Sequence, residues 1–352
     1  MRIALMSTFP PEKCGVGIYA ENLRAALRRQ KGSQIVSVGT PGSNADIHLD
    51  FASLRLASRL KEIVRKYAID AIHIQYNAPH FGRFTLNAGL MKALRESKIP
   101  IVVTLHEVQY PEKEHGLQKI RKAILRRIEK RIVRLASGII VHTEGQRDFL
   151  KKRYHSRKVK CIYHGLTLRT HKRKKDNNLL FFGILTPAKG VHVLINAMEF
   201  LPEYTLSIAG SAPRNMKKYE RTLQDLCRDK KNVKAQFGWI SEEEKSRLLA
   251  DSDIMVLPYS WAPYQSGVLH DAASEGIPVV VSRVGALHEM VKKYAFGEVM
   301  SQLKPKAIAM AVKAVAAKYG RCQKNLRAYR KKANWDAVAR QHLRFYGKVA
   351  KK

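Results

Sequence analysis

Cysteine is scarce in this 352-residue chain, and the four present, Cys14, Cys161, Cys227 and Cys322, lie far apart. Such spacing supports neither a disulfide framework nor a metal cage, and it fits a reducing, cytoplasmic compartment. Long apolar runs are missing too. No stretch reaches the ~18 uncharged apolar residues that read as a membrane span, and Met1 to Ser7 run straight into an apolar strand pattern, so neither a leader nor a spanning segment is expected. Acidic residues are few: 29 Asp and Glu stand against 65 Lys and Arg, a net charge of +36. That field attracts polyanions, whether nucleic acid, anionic lipid or phosphorylated compounds, without choosing between them. No RNP, zinc-finger or helix-turn-helix pattern accompanies the charge, and the basic residues are dispersed instead of interleaved with aromatic platforms. Specific nucleic-acid recognition is therefore not expected, and a basic nucleic-acid-binding protein stands only as an alternative of another class.

What is present is a regular alternation. Ile3 to Met6, Ile35 to Val38, Ala71 to Ile74, Ile101 to Leu105 and Gly138 to Val141 read as short buried strands with helical stretches between them. This is the pattern of parallel sheets covered by helices on both faces. It stops at the polar run His171 to Asn178 and resumes with strands near 179 to 183, 205 to 209, 233 to 237, 253 to 257 and 278 to 281. The length also calls for two domains. We expect an α/β architecture with an amino-terminal domain over 1–172 and a second over 173–332. A terminal helix over about 333–350 is expected to pack back on the first.

In doubly wound sheets ligands sit at the carboxyl ends of the strands, so the loops there carry the chemistry. The stretch Gln265 to Val280 reads as a glycine turn, a short helix and a buried strand. Ser266 can cap that helix, whose free N–H groups and dipole would suit a diphosphate, and Asp271 on the second turn could accept from two ribose hydroxyls. An ordinary capped helix with a surface acid fits the same residues. In the loop Gly183 to Gly190, Lys189 precedes a helix start near Gly190, where ammonium and dipole both favour phosphate. Alone this loop is a weak signal, but parallel topology brings both loops to one sheet edge.

The order and spacing of several segments carry a resemblance over nearly the whole chain. They are Ser7 to Leu23 with its Cys-Gly-Val-Gly, His73-Ile-Gln-Tyr76, Val103-Thr-Leu-His106, Tyr163-His-Gly165, Gly183 to Gly190, Leu206-Ser-Ile-Ala-Gly210 and Val284 to Glu289. In these the chain resembles the retaining GT-B glycosyltransferases of family four, the glycosyl transferases group 1. That resemblance implies two Rossmann-like doubly wound domains facing a central cleft. It further implies transfer of a hexose from a nucleotide-diphosphate sugar, of the GDP-mannose or UDP-glucose type, to an acceptor hydroxyl, with retention and without a metal.

Carried over by position, the resemblance implies that Lys189 contacts the diphosphate and Asp271 the ribose. The amides of Gln265, Ser266, Gly267, Val268 and Leu269 would hold phosphates and sugar, Gly183 would open the lysine loop, and Gly210, Trp239 and Ile240 would line the base. Gly15 and Gly17 would let the amino-terminal loop approach the sugar, and His106 would lie beside it as a catalytic residue with Lys189 and Asp271. The acceptor would be a sugar, a polysaccharide or a lipid-linked compound. The leaving phosphate itself can take the acceptor's proton, so no enzymic nucleophile is named. No cofactor is expected beyond the nucleotide sugar as co-substrate. No metal is expected either, because the one Asp-x-Asp, Asp251-Ser-Asp253, opens a strand.

Two positions depart from the family pattern. Of its two glutamates seven residues apart, the first is Pro263 here and the second Asp271. The arginine after the glycine of the lysine loop is replaced by Ile184, with Thr186 where some relatives have arginine. Arg283 and Arg214 are candidates to replace the lost cation, and a catalytically weak GT-B scaffold is the alternative reading.

His142 and His164 also follow strands and could meet His106, although each alone reads first as a structural side chain. Glu289 reads as either a site residue or an acid complementing a helix start. Over Lys119 to Leu135 a helical stripe of Ile120, Ile124, Ile128, Ile132 and Leu135 is surrounded by basic residues. Such a helix either lies on an anionic membrane, which would make the protein peripheral on the inner face of the cell membrane, or packs on the sheet with a solvated basic face.

Overall fold

The computed structural model describes residues 1–12, 14–82, 87–111, 117–169, 176–262 and 266–351. The chain divides into two compact units, Met1–Gly165 with Ala333–Lys352, and Leu166–Lys332. Of the polar run that reads as a linker, residues 171 to 175 lie outside the described residues.

The first unit is built on strands β1 (Arg2–Met6), β2 (Gln34–Gly39), β3 (Ile47–His48), β4 (Ala71–Tyr76), β5 (Ile101–Leu105), β6 (Gly138–Val141) and β7 (Val159–Cys161). They form one sheet in the order β3-β2-β1-β4-β5-β6-β7, with every pair parallel. Parallel neighbours need a crossover, and helices α1 (Gly15–Arg28), α2 (Leu56–Tyr67), α3 (Ala88–Glu96), α4 (Leu117–Leu135) and α5 (Glu144–Tyr154) supply it. Because side chains alternate across a strand, Ala4, Met6, Ile74 and Val103 enter one core while Ile3, Leu5, Val102 and Ile140 enter the other. The terminal helix Trp335–Ala350 packs against α1 in that second core. Its Trp335 explains Gly165: a Cβ there would stand 2.3 Å from the indole.

The basic stripe resolves in favour of packing for most of its length. Ile128 and Ile132 are buried in the first core, Ile124 and Leu135 pack on it, and only Ile120 is exposed. Strands β3 and β7 are additions to the sequence reading, too short for a clear apolar pattern.

The second unit has β8 (Asn178–Phe182), β9 (Thr205–Gly210), β10 (Val233–Phe237), β11 (Ile254–Leu257), β12 (Val279–Val281) and β13 (Gly297–Val299). They are parallel throughout, in the order β10-β9-β8-β11-β12-β13. Helices α6 (Val191–Ala197), α7 (Lys217–Arg228), α8 (Glu242–Ala250), α9 (Gly267–Glu275), α10 (Gly285–Tyr294), α11 (Pro305–Ala317) and α12 (Tyr319–Ala333) complete the chain up to the terminal helix. Asp253 has a structural task, since its Oδ2 accepts from the amides of Asp176 at 3.0 Å and Asn178 at 2.9 Å at the entry to β8.

Candidate functional site

In the second unit the strand order reverses between β8 and β11, so the loops leaving these two strands diverge and open a crevice between them. The β8 loop begins at Gly183 (φ +136°), and a Cβ there would meet Val268 on the first turn of α9 at 3.5 Å. It ends at Gly190 (φ +66°), where a Cβ would stand 2.0 Å from the carbonyl oxygen of Pro258 in the β11 loop. The amide of Ser260 donates to the Ala188 carbonyl at 2.9 Å, so the two loops are stitched backbone to backbone.

Tyr259 joins the functional groups across that seam. The Lys189 ammonium lies 3.6 Å from the centre of its ring, while the Ser266 side chain is a polar neighbour of its hydroxyl. Burial lowers Lys189 from the ordinary lysine value and raises Tyr259 to about 12. Ser266 caps α9, accepting from the Leu269 amide at 3.4 Å. The expected proximity of Lys189 and the α9 start is therefore present, but through an aromatic ring. Lys189 stands just before α6, a helix of seven residues without a side-chain cap, and its ammonium rests on Tyr259.

Asp271 sits on α9, where the Lys245 ammonium from α8 approaches its Oδ2 to 3.1 Å. Burial pushes the Asp271 carboxyl up from its usual range and Lys245 opposes that shift. Lys245 is thus the cation that the fold brings to this acid. Arg283 and Arg214, the sequence candidates to replace the phosphate cation missing at Ile184, are exposed residues. Gln265 and Pro263 lie outside the described residues.

Gly210 (φ +150°) is a matter of packing, since a Cβ would meet the Gly183 carbonyl oxygen at 1.8 Å. Beyond β10, Trp239 is 85% exposed and Ile240 half-buried. Gly267 has open space where a side chain would project. Glu289 does not begin a helix, because α10 starts at Gly285 and its first turn holds no acid.

The first unit reverses its strand order between β1 and β4. The hydroxyls of Ser7 and Thr8, just after β1, are buried and make no hydrogen bond among the described residues. Gly15 is the first residue of α1, and among the described residues nothing beyond its chain neighbours and its own helix backbone comes within 4 Å of where a Cβ would lie. Gly17 differs: its Cβ would meet the Thr8 hydroxyl at 3.0 Å and the Phe9 amide at 3.3 Å.

His106, His142 and His164 do converge, each with its ring about Tyr19 at centroid distances of 5.1, 4.9 and 5.0 Å. Desolvation holds His106 well below the ordinary histidine value, His142 down at about 3 and His164 at about 4, so all three are neutral at pH 7. His142 is tied down, its Nδ1 3.0 Å from the Ile162 carbonyl oxygen. His106 Nε2 is 2.9 Å from Gln75 Oε1, and Gln75 Nε2 lies 3.1 Å from His73 Nε2. His73 Nδ1 in turn meets the Tyr346 hydroxyl at 2.6 Å. With the Gln75 oxygen as acceptor, His106 carries its proton on Nε2 and keeps Nδ1 as an acceptor. A cavity of about 50 Å³ adjoins His106, lined in part by Val16, Tyr76 and Glu107.

Sequence reasoning missed Tyr259, Lys245 and Gln75. Tyr259 had a usable signal, as it follows the strand at which the sheet order reverses. Lys245 had none, because only folding brings α8 against α9. Distant residues also assemble one mixed group in the first unit. Glu12, Cys14 and His80 each place a ligand atom within 4.8 Å of the others, where sequence spacing showed no cluster.

The model of the Glycosyltransferase Family 4 matches residues 14–169 and that of the Glycosyl transferases group 1 matches residues 176–318. An uncharacterized glycosyltransferase of Methanocaldococcus jannaschii is 31% identical over 180 residues, which are 49% of this chain and 45% of that protein. A GDP-mannose:glycolipid 4-beta-D-mannosyltransferase of Xanthomonas campestris is 27% identical over 199 residues, 55% of this chain and 53% of that protein. The chain thus spans about half the length of these two curated relatives. Among solved structures, a sucrose-phosphate synthase from Thermosynechococcus elongatus superposes with a TM-score of 0.72 at 20% identity over 99% of both chains. The two Rossmann-like units are those of the GT-B fold.

Proposed function

The chain belongs to the group 1 glycosyl transferases of glycosyltransferase family 4, and from that we propose that it moves a hexose from a nucleotide-diphosphate sugar to an acceptor hydroxyl. The observation that carries this reading is the crevice of the second unit, where Tyr259 joins Lys189 to the capped start of α9. Lys189 and the first amides of α9 would hold the diphosphate and stabilise the charge that grows on it as the glycosidic bond breaks. Asp271 would accept from the ribose. Gly183, Gly210, Trp239 and Ile240 would border the nucleoside.

In the first unit, Gly15 and the buried Ser7 and Thr8 hydroxyls would face a sugar, and neutral His106 would accept from it at Nδ1. Retention follows if the acceptor hydroxyl attacks the face that the phosphate leaves, with a phosphate oxygen taking its proton. No metal is needed in that scheme. The mannosyltransferase relative makes GDP-mannose the first donor to test, with UDP-glucose beside it, and its glycolipid makes a lipid-linked acceptor the first choice. Calorimetry against nucleoside diphosphates and their sugars tests the reading: one of them must bind, and Lys189→Ala must weaken it.

One observation favours a second reading. Asp271 is already engaged by Lys245, as it would be in a scaffold that binds without turnover. Slow hydrolysis of the preferred donor without acceptor would exclude that scaffold.

A further inference from the structure

Two cavities adjoin on the first unit at the amino ends of its strands. The larger, about 880 Å³, is floored by Pro100, Ser137 and Lys158, the residues that immediately precede β5, β6 and β7, and walled by the terminal helix. The smaller, about 420 Å³, runs between α2 and α3 over Leu60, Val64, Ile72, Ala93 and Ile101. They share Ser97, Lys98 and Ile99, so one opens beside the other.

Their chemistry differs sharply. Seven Lys and Arg line the larger cavity and no Asp or Glu does. Lys158 is committed, its ammonium donating to the carbonyls of Arg134 and Ala136 at 3.1 Å each. Among the described residues none of Lys98, Arg157, Lys160, Arg344 and Lys348 forms an ion pair with a carboxylate, and only Lys151 has an acid, Asp148, near it. Like charges gathered round a concavity without counter-charges raise the local positive potential and draw an anion. The smaller cavity is apolar along its length. Its one acid, Glu96, is neutralised at the rim by Lys61 at 2.8 Å.

We propose that the adjoining basic and apolar cavities form a docking site for an anionic lipid, its phosphate on the Lys98, Arg344 and Lys348 side and its hydrocarbon chain between α2 and α3. A free phosphate would have no use for the apolar half. The amphiphile has, because hydrocarbon removed from water and phosphate brought to lysine and arginine each contribute binding. The site is separate from the histidines. These follow the carboxyl ends of β5 to β7, whereas the cavities lie at the amino ends, roughly 16 Å away for a five-residue strand. The inference therefore stands whether or not the chain transfers sugar, and it places lipid contact away from the exposed basic face of α4.

Co-sedimentation of the full chain with phosphatidylcholine vesicles, with and without phosphatidylglycerol, tests it. Binding should need phosphatidylglycerol. The triple variant Lys98→Gln, Arg344→Gln, Lys348→Gln should lower partitioning by roughly a hundredfold, given about a fivefold effect per charge near such a surface. Neutralising Arg127, Lys130 and Arg131 on α4 should change it several-fold less, and Ile99→Ser should reduce it about tenfold. Should Ile99→Ser fail to fold, competition replaces it: lysophosphatidylglycerol should displace the protein where glycerophosphoglycerol does not. The proposal is overturned if vesicles do not bind, if the α4 variant loses more than the cavity variant, or if inorganic tripolyphosphate binds while the lipid chain adds nothing.

Discussion

The Lys189 ammonium lies 3.6 Å from the centre of the Tyr259 ring, and Ser266, the cap of α9, is a polar neighbour of the Tyr259 hydroxyl. One side chain therefore sets the distance between a cation and a helix start that are far apart in sequence. Burial lowers Lys189 from its ordinary value, and a diphosphate placed against the ammonium would offset the hydration it loses there. Lys189→Ala should weaken the best nucleotide ligand at least about tenfold, roughly 1.4 kcal/mol. Tyr259→Leu, which keeps apolar bulk but removes the ring face and the hydroxyl, should cost several-fold in the same titration. Equal affinity in both variants would show that the seam has no part in donor binding.

Asp271 and Lys245 give a pH signature. Burial raises the carboxyl while Lys245, at 3.1 Å, pulls it back down. Ribose hydroxyls need the ionised carboxylate as acceptor, so affinity should fall as pH drops through the raised Asp271 range. Lys245→Met removes the opposing pull, and the loss should then begin at a higher pH. Donor affinity measured across pH for both proteins checks this. Tighter binding by the variant, without a pH displacement, would show instead that Lys245 competes with the ribose.

The glycines separate folding from function. Gly15→Ala adds a methyl where, among the described residues, nothing beyond its chain neighbours and its own helix backbone lies within 4 Å and where φ is ordinary, so the melting temperature should hold or rise slightly. Transfer should nevertheless fall by about tenfold or more if a sugar approaches that backbone. Gly210→Ala should instead yield little folded protein, because φ is +150° and the methyl would sit 1.8 Å from the Gly183 oxygen. Unchanged kcat/KM in Gly15→Ala would remove this loop from the reaction.

Both folding units were readable in the sequence because parallel, doubly covered sheets impose continuous short apolar runs on their strands. β3, β7 and β13 escaped since two or three residues make no period. The capped helix at Ser266 was readable for a local reason: an N-cap uses residues within one turn. The Lys245 partner of Asp271 and the ring under Lys189 were not, because each is made by the packing of separate elements that no spacing encodes. Gly17 shows a reason that the sequence did not display: folded into α1, it is in tight contact with Thr8 and Phe9, so packing also favours a glycine there.

His106 offers a test of positioning that leaves the second unit untouched. His106→Ala should reduce transfer while nucleotide affinity stays the same, since the donor groups lie elsewhere. Gln75 holds His106 Nε2 at 2.9 Å and is itself buried against His73. Gln75→Glu keeps an acceptor toward His106 and should favour its protonated form, displacing the pH profile of kcat upward. Gln75→Leu, lacking any acceptor, should lower kcat without that displacement. Identical profiles in the two variants would make Gln75 a packing residue only.

The last expectation concerns acid, and it follows from five histidines held without charge in one core. His73 and His106 are held well below the ordinary value, His142 at about 3, and His164 and His342 at about 4, in each case chiefly by desolvation. In the unfolded chain each returns to about 6.5. Between those limits the unfolded state binds protons that the folded state refuses, so stability is fully present above about pH 6.5 and falls as pH drops toward 4. Each histidine adds a slope of up to ~1.4 kcal/mol per pH unit. Urea unfolding of the whole chain from pH 7.5 to 4.5 should show the first unit melting out first as pH falls. His342→Phe replaces a buried imidazole, whose Nε2 stands 3.4 Å from the Tyr19 hydroxyl, with an apolar ring. It should shallow that slope by about one proton even where it costs stability at neutral pH. A variant that unfolds along the parental pH curve would mean that His342 takes up its proton without opening the core.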